Sequence, residues 1–368
     1  MKQANAIAGF VGREKPMLLA LLTALIAKLI LDDPNMGPVG SYGSLTLVVL
    51  VVTFAVMIYA SMAVVGHAEV LAHRLGEPAG TLVLTLTAAG VEVIMMTAIA
   101  LTGKPDPHIV KDTVYSTVMI LLTGLLGGAL LLGGLRHGEQ QFNFKSSKSY
   151  QSVLLGMLGI SLFLPTVAGG AVVRTIHWFL VSAFLLLYGI FLKLQVGKHN
   201  LFFRDPVEHP HAPVASGHST AYHVVVLLLT VVSISVVAEF FATGLDEETE
   251  RHHLPVAIKG LIVAVLMAGP EGLTAIRAAR QNEMQRVMNI VLGSALSTVS
   301  LTVPAMLIVG QIKGLDFNFV LAPFQVTLLA VSLGVVHISE TEGKTNILDG
   351  AVQLILFAGF VFFALTVH

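Results

Sequence analysis

Two glutamates stand inside long apolar runs of this sequence, where a charged side chain has a chemical cost. Glu92 lies in GTLVLTLTAAGVEVIMMTAI, and Glu271 lies in GLIVAVLMAGPEGLTAIRAA. In both stretches the glutamate ends an Ala-Gly-x-Glu pattern. An ionised carboxylate at membrane depth is unfavourable, so each side chain favours one of two neutralised states, protonated or holding a cation. Because protons and cations compete for the same oxygens, the pair predicts exchange of one for the other.

Other oxygen ligands are needed, because two carboxylates cannot fill the coordination shell of a hard cation such as Ca²⁺. A serine follows each glutamate in the next apolar run, Ser116 after Glu92 and Ser294 after Glu271. Ser297 comes one helical turn later. We expect the hydroxyls of these three serines to help bind the cation or proton. The alternative for each serine is a hydrogen bond to the preceding helical turn.

The composition restricts the class of protein. The chain has 368 residues, of which 55% are hydrophobic and only 12% are charged. Such a chain has too little polar surface to cover a soluble core, so we expect a membrane protein. A formal net charge of -1 gives no basic field for nucleic acid, and the absence of cysteine excludes thiolate zinc sites and cysteine nucleophiles.

Apolar runs of spanning length predict an all-α polytopic membrane protein with about eleven transmembrane helices. The predicted spans are 17–31, 44–66, 80–102, 112–135, 150–168, 175–195, 222–244, 254–276, 287–312, 320–339 and 346–367. A cytoplasmic N-terminus places 14 of the 21 Lys and Arg residues on the cytoplasmic side. That bias agrees with the positive-inside rule.

An internal repeat organises these spans. Glu92 lies on the third span and Glu271 on the eighth, so the two related stretches enter the membrane from opposite sides. We therefore predict one N-terminal helix followed by two inverted five-helix repeats, an architecture of secondary transporters. The predicted parts are an N-terminal segment over 1–43, a first repeat over 44–195, a His- and Pro-rich cytoplasmic linker over 196–221 and a second repeat over 222–368.

Two longer stretches resemble the signatures of a known family. AEVLAHRLGEPAGTLVLTLTAAGVE and AGPEGLTAIRAARQNEMQRVMNIVLGSALSTVSLTVP are similar to the two signatures of the Ca²⁺/H⁺ antiporter (CAX) branch of the calcium:cation antiporter superfamily. HAEVLAHRLGEP, KDTVYSTVMI and SLTVP are similar to the bacterial ChaA-type sodium/potassium/calcium–proton antiporters. The resemblance covers nearly the whole chain.

The resemblance implies roles for particular residues. Glu92 and Glu271 match the family's shared cation and proton sites, and Ser116 and Ser294 match serines near them. Glu69 and Glu239 match acidic positions that line an ion path or relay protons. The chain departs from the family where Ala89, Ala268 and Ser297 replace side-chain amides. Losing amide oxygens disfavours a many-coordinate divalent ion and makes Na⁺ or K⁺ exchange credible.

The predicted linker carries several histidines. We weigh two interpretations of His209 and His211, metal or pH sensing and a solvated linker, and favour the linker. The acidic run 246–250 is expected to form an outer loop.

These observations together predict a secondary active antiporter of the bacterial inner membrane. It would export Ca²⁺ and/or Na⁺/K⁺ in exchange for protons by alternating access, with no cofactor beyond the transported ions. Its partners would be the lipid bilayer, cations and protons, and a homo-oligomer is left open. The alternatives are a Na⁺(K⁺)/H⁺ antiporter with little Ca²⁺ activity, a passive channel and an intramembrane hydrolase. The spans lack the GxGD and HExxH patterns that a hydrolase would use.

Overall fold

The computed structural model describes residues 12, 14–32, 44–76, 79–102, 106–167, 173–197, 200–203, 217–315, 317 and 319–366. Within these ranges the chain is almost entirely helical. The helices are α1 Lys15–Asp32, α2 Ser44–Leu75, α3 Ala79–Leu101, α4 Ile109–His137, α5 Phe144–Val167, α6 Val173–Val196, α7 Thr220–Arg251, α8 Val256–Arg280, α9 Met284–Lys313, α10 Pro323–Glu340 and α11 Ile347–Thr366. A short 3₁₀ helix covers Asn200–Phe203.

The described helices confirm the predicted all-α class. Apolar segments at membrane depth become helices because a helix satisfies every backbone polar group within its own segment. Nine of the helices have the length and hydropathy to cross a membrane. The predicted spans 17–31 and 150–168 fall on α1 and α5, which are not among those nine.

Two helices continue beyond the spans that were predicted. α2 runs to Leu75 instead of ending near residue 66, and α7 runs to Arg251 instead of ending near 244. The prediction of an acidic outer loop over 246–250 was therefore wrong, because these residues form the last turns of α7. Ion pairs at helical spacing stabilise those turns: Glu248 contacts Arg251 at 2.6 Å and His252 at 3.3 Å.

The described chain separates into two compact units. Unit 1 contains residues 1–105 and 213–254, and therefore α1, α2, α3 and α7. In it α2 packs against α3 and α7, while α1 packs against α2 and α7. The side chains of Ala27 on α1 and Phe240 on α7 are buried together.

Unit 2 contains residues 106–212 and 255–368. In it α8 packs against α4 and α9, and α11 packs along α4. Two-residue strands β1 (Gln140–Gln141) and β2 (Lys344–Thr345) pair antiparallel and join the α4–α5 and α10–α11 connections. Each unit takes helices from both halves of the sequence, so the units are not the predicted repeats, and the repeats stay a prediction.

Two helices of unit 2 bring their backbones into close contact at glycines. A Cβ atom added to Gly350 on α11 would lie 2.4 Å from the backbone nitrogen of Leu131 and 2.8 Å from the carbonyl oxygen of Gly127 on α4. Only a residue without a side chain fits at this crossing, as in other membrane helix pairs that pack through small residues.

We expect Gly350→Ala to destabilise the protein by about 1–3 kcal/mol, because the added methyl group forces backbone atoms apart. The measurement is the unfolding temperature of the detergent-solubilised protein. Gly359→Ala is the matched control, since no described atom lies within 4 Å of the Cβ it would add to the same helix. Equal unfolding temperatures for the two variants would contradict this account of the crossing.

Candidate ion-binding site

Glu271 lies inside α8 of unit 2, directly after Pro270. Proline lacks an N–H, so the carbonyl of Leu266 loses its usual helical partner at this point. The Glu271 side chain is half-buried, and its Oε2 atom is buried with no hydrogen-bond partner among the described residues. A buried carboxylate oxygen without a donor is costly, and a proton or a cation would remove that cost.

The predicted serines of unit 2 lie on the two helices that pack against α8. Ser116 on α4 is buried, and Ser294 on α9 is half-buried. Ser297 is also buried, and its hydroxyl donates to the Ser294 carbonyl oxygen at 3.0 Å. For Ser297 the structure therefore has the bond to the preceding turn that was the alternative to ion binding.

Both serine-bearing helices contain a π-helical segment at the same offset from the serine. In α4 the segment is Ile120–Leu125, which begins four residues after Ser116. In α9 it is Thr298–Thr302, which begins four residues after Ser294. A π segment inside an α-helix shifts the backbone hydrogen bonds and is frequent at functional sites. The sequence analysis did not predict either segment.

Asp112 is a polar residue of this region that the sequence analysis missed. It lies one helical turn before Ser116 and lines a pocket with it, together with Tyr115, Gln325 and other residues of unit 2. The empty volume of the pocket is about 330 Å³, part of which is open to the outside. Asp112 is 8% exposed, and its carboxylate lies 3.4 Å from the Lys111 ammonium group. Its spacing from Ser116 was the signal that could have identified it.

A glycine on the neighbouring helix allows α8 to approach this part of α4. A Cβ atom added to Gly260 would lie 2.8 Å from the carbonyl carbon and 2.9 Å from the Cβ atom of Asp112. The Gln325 side chain on α10 hydrogen bonds to the Asp112 carboxylate. Lys111 and Gln325 thus contact the Asp112 carboxylate, and the backbone of Asp112 lies against α8.

The other predicted acids lie in unit 1. Glu92 is half-buried on α3, and Glu69 is half-buried on α2. Glu239 is exposed on α7, where the Thr243 hydroxyl donates to its backbone carbonyl at 3.0 Å. The structure therefore places Glu271, Ser116, Ser294 and Ser297 in unit 2 and Glu92, Glu69 and Glu239 in unit 1.

Histidines and metal ligands were also considered in the sequence. His209 and His211 lie outside the described residues, so their sensing role stays untested. Among the residues that the structure describes, no group of three His, Asp or Glu side chains could hold a metal ion.

Known proteins resemble this chain over most of its length. The chain matches the family described as sodium/calcium exchanger protein over residues 45–197 and 222–366. It is 35% identical over 331 residues to the sodium-potassium/proton antiporter ChaA of Escherichia coli, covering 88% of this chain and 90% of that protein. It is 25% identical over 281 residues to a Ca²⁺/H⁺ antiporter of Aphanothece halophytica, covering 69% and 74% of the two chains.

Solved structures share the fold. Native YfkE superposes with a TM-score of 0.74 at 17% identity, covering 95% of this chain and 98% of that one. The H⁺/Ca²⁺ exchanger CAX superposes with a TM-score of 0.71 at 16% identity, covering 96% and 89%. The helical architecture, the family match and the relative in Escherichia coli agree, and the chain belongs to the sodium/calcium exchanger protein family.

Proposed function

We propose that this protein exports Na⁺ and K⁺ in exchange for protons, with Glu92 and Glu271 as the carboxylates that carry either the cation or the proton. The protein is a secondary cation/proton antiporter and not an enzyme, because it belongs to a family of exchangers and is 35% identical to a sodium-potassium/proton antiporter over most of its length. The intramembrane hydrolase is therefore set aside.

One observation carries the proposed chemistry: the buried Oε2 atom of Glu271 has no hydrogen-bond donor among the described residues. A carboxylate held by several donors would be stable as an anion and would have little reason to release or bind a proton. Without such donors, the carboxylate needs a proton or a cation, and excess of either displaces the other. This competition couples the two ion gradients, since each ion that leaves makes room for the other.

The monovalent ions are favoured by the ligands that the chain offers. Ca²⁺ takes six to eight oxygen ligands, whereas Ala89 and Ala268, three residues before the two glutamates, carry no side-chain oxygen. The Ser297 hydroxyl is already bonded within its own helix. Ca²⁺ is a second candidate cation, because the relative in Aphanothece halophytica is a Ca²⁺/H⁺ antiporter.

Asp112 is proposed as a cation-attracting group on the path to Ser116. It lies near the start of α4, at the membrane side that we predict to be external, and both residues line one pocket. A carboxylate in a confined pocket raises the local concentration of cations. Lys111 opposes that effect, so the net field depends on both side chains.

The proposed location is the inner membrane of a bacterium, with the N-terminus in the cytoplasm. The bacterial relatives support a location in the inner membrane. The cytoplasmic position of the N-terminus is supported by the 14 of 21 Lys and Arg residues that it assigns to the cytoplasmic side. The inverted repeats over 44–195 and 222–368 are proposed on the paired glutamates and on the equal offsets of the two π segments.

We expect Glu92→Gln and Glu271→Gln each to reduce cation-driven proton movement to the level of empty liposomes, because glutamine can neither release a proton nor neutralise a cation. The measurement is the fluorescence of a pH-sensitive dye in proteoliposomes on addition of Na⁺, K⁺ or Ca²⁺. Glu342→Gln, in the exposed turn after α10, is the control and should keep full activity. Proton movement that persists in either test variant would exclude that glutamate, and the relative response to the three cations tests the proposed selectivity.

Asp112→Asn should raise the half-saturating cation concentration by about fivefold, the equivalent of about 1 kcal/mol, because the pocket loses its negative charge. The maximal rate should change little, and added inert salt should shrink the difference. Lys111→Gln is the paired variant and should shift the half-saturating concentration in the opposite direction. If both substitutions shift it the same way, the effect is structural and the electrostatic role is wrong.

Orientation can be tested with single cysteines, since the natural chain has none. Leu254→Cys, between α7 and α8, should react with a membrane-impermeant maleimide in intact cells. Thr341→Cys, between α10 and α11, should react only in inverted membrane vesicles. The reverse labelling pattern would contradict a cytoplasmic N-terminus.

A further inference from the structure

A second set of titratable groups lies in unit 1, where the ends of three helices meet. Glu14 immediately precedes α1, His67 lies on the last third of α2, and Tyr222 and His223 lie in the first turn of α7. Glu14 and His223 are each 5% exposed, and the side chain of His67 is 12% exposed. We refer to Glu14, His67, Tyr222 and His223 as the histidine cluster.

The histidine cluster forms one continuous chain of polar contacts. Nδ1 of His67 lies 2.8 Å from Nδ1 of His223, and Nε2 of His67 lies 3.2 Å from Oε2 of Glu14. The Tyr222 hydroxyl donates to Oε1 of Glu14. His67 is therefore the middle group, with a carboxylate on one ring nitrogen and an imidazole on the other.

The contact between the two imidazoles limits how many protons the chain can hold. A hydrogen bond between two Nδ1 atoms needs one donor and one bare acceptor. If both rings are neutral, one Nδ1–H donates to the other ring. If one proton is added to His67, both of its N–H groups donate, one to the Glu14 carboxylate and one to the bare Nδ1 of His223. A second added proton would place two N–H groups face to face and break the contact.

With one added proton, both ring nitrogens of His67 donate and each has an acceptor. The imidazolium of His67 compensates the charge of Glu14, and its hydrogen bond to His223 becomes charge-assisted, which makes that bond about twice as strong as a neutral one. His67 is the ring that carries the added proton in this arrangement, because it is the one that contacts the Glu14 carboxylate.

Other charged groups act on the cluster from the helices around it. Arg74 on α2 donates to the Thr220 hydroxyl at 3.1 Å and to the His218 carbonyl, and the His218 ring stacks on Tyr222 with centroids 4.4 Å apart. The charges acting on His223 are those of Glu14, His67, Arg74 and His218. From α3, residues 79–91 contain no titratable side chain. Glu14 is therefore the one negative charge among these groups.

We propose that the histidine cluster is a proton-binding site, distinct from the exchanging glutamates, whose bound proton fastens the ends of α1, α2 and α7 and slows antiport. Alternating access requires helices to change their packing, and a bonded chain across three helix ends resists that change. Loss of the proton removes the attraction between the His67 imidazolium and the Glu14 carboxylate and leaves a neutral hydrogen bond between the two imidazoles, which weakens the restraint. Antiport is then slow when this end of the protein faces acid and faster when it faces alkali.

The test must distinguish a proton bound at the histidine cluster from the protons that compete with the transported cation at Glu92 and Glu271. At saturating cation, competition at Glu92 and Glu271 is overcome, whereas a proton bound at the histidine cluster is not displaced. The maximal rate at saturating Na⁺ or K⁺ is therefore measured in proteoliposomes between about pH 6 and pH 8, where imidazoles titrate. For the unaltered protein we expect a fall of at least about fivefold towards pH 6, the lower end of the coupling between two sites.

His67→Gln and His223→Leu should each make that fall smaller and make the protein faster at pH 6, because glutamine at position 67 takes up no proton and leucine at position 223 offers the protonated His67 no acceptor. His73→Gln is the matched control, an exposed histidine on the same helix, and should behave like the unaltered protein. Profiles of the two cluster variants that superimpose on that of the unaltered protein would overturn the proposal. An equal change in His73→Gln would overturn it as well.

Tyr222→Phe is a milder substitution that tests the site even if the variants of His67 and His223 fail to fold. It leaves both imidazoles in place and removes one hydrogen bond to Glu14, so the fall in rate between pH 8 and pH 6 should become smaller. An unchanged fall in Tyr222→Phe, with the variants of His67 and His223 unfolded, would also count against the site. Folding is judged from a single symmetric peak in size-exclusion chromatography.

Discussion

A carboxylate surrounded by apolar helices must be neutralised, and the other features of this protein follow from that constraint. The helices themselves are unremarkable in composition, since apolar segments in lipid have few alternatives to helical structure. Glu92 and Glu271 interrupt that pattern with groups that are unfavourable as bare anions. The need for neutralisation is also what allows exchange. A proton or a cation can neutralise each carboxylate, and the binding of one excludes the other.

Irregular backbone accompanies the polar side chains. Pro270 precedes Glu271 and frees one carbonyl of α8, and π segments begin four residues after Ser116 and after Ser294. Regular helix offers a cation only side-chain oxygens, because its carbonyls are used in hydrogen bonds. Local departures from α-helical bonding supply carbonyl oxygens where side chains are few. This matters for a chain in which Ala89 and Ala268 provide no amide oxygens.

The sequence predicted the fold class and the number of long helices because each depends on local hydrophobic runs. It did not predict how far α2 and α7 extend, since Arg74, Glu248 and Arg251 are polar and were assigned to connections. In the structure, pairs such as Glu248 with Arg251 continue the helix beyond the apolar run. Nor did it predict Asp112 or the histidine cluster, because both depend on residues distant in sequence, such as Gln325 for Asp112 and His223 for His67.

Three acidic side chains show how the number of hydrogen-bond donors separates structural from exchanging carboxyl groups. Both oxygens of Glu14 have partners, Tyr222 and His67. One oxygen of the fully buried Glu340 accepts from Ser147 and Gln151, and its other oxygen has no donor among the described residues. The buried oxygen of Glu271 has no donor in the described part of the chain. Each donor stabilises the carboxylate without an ion and so weakens its competition for one. By this ordering Glu271 is the group best suited to pass ions, whereas Glu14 is suited to hold a neighbouring proton in place.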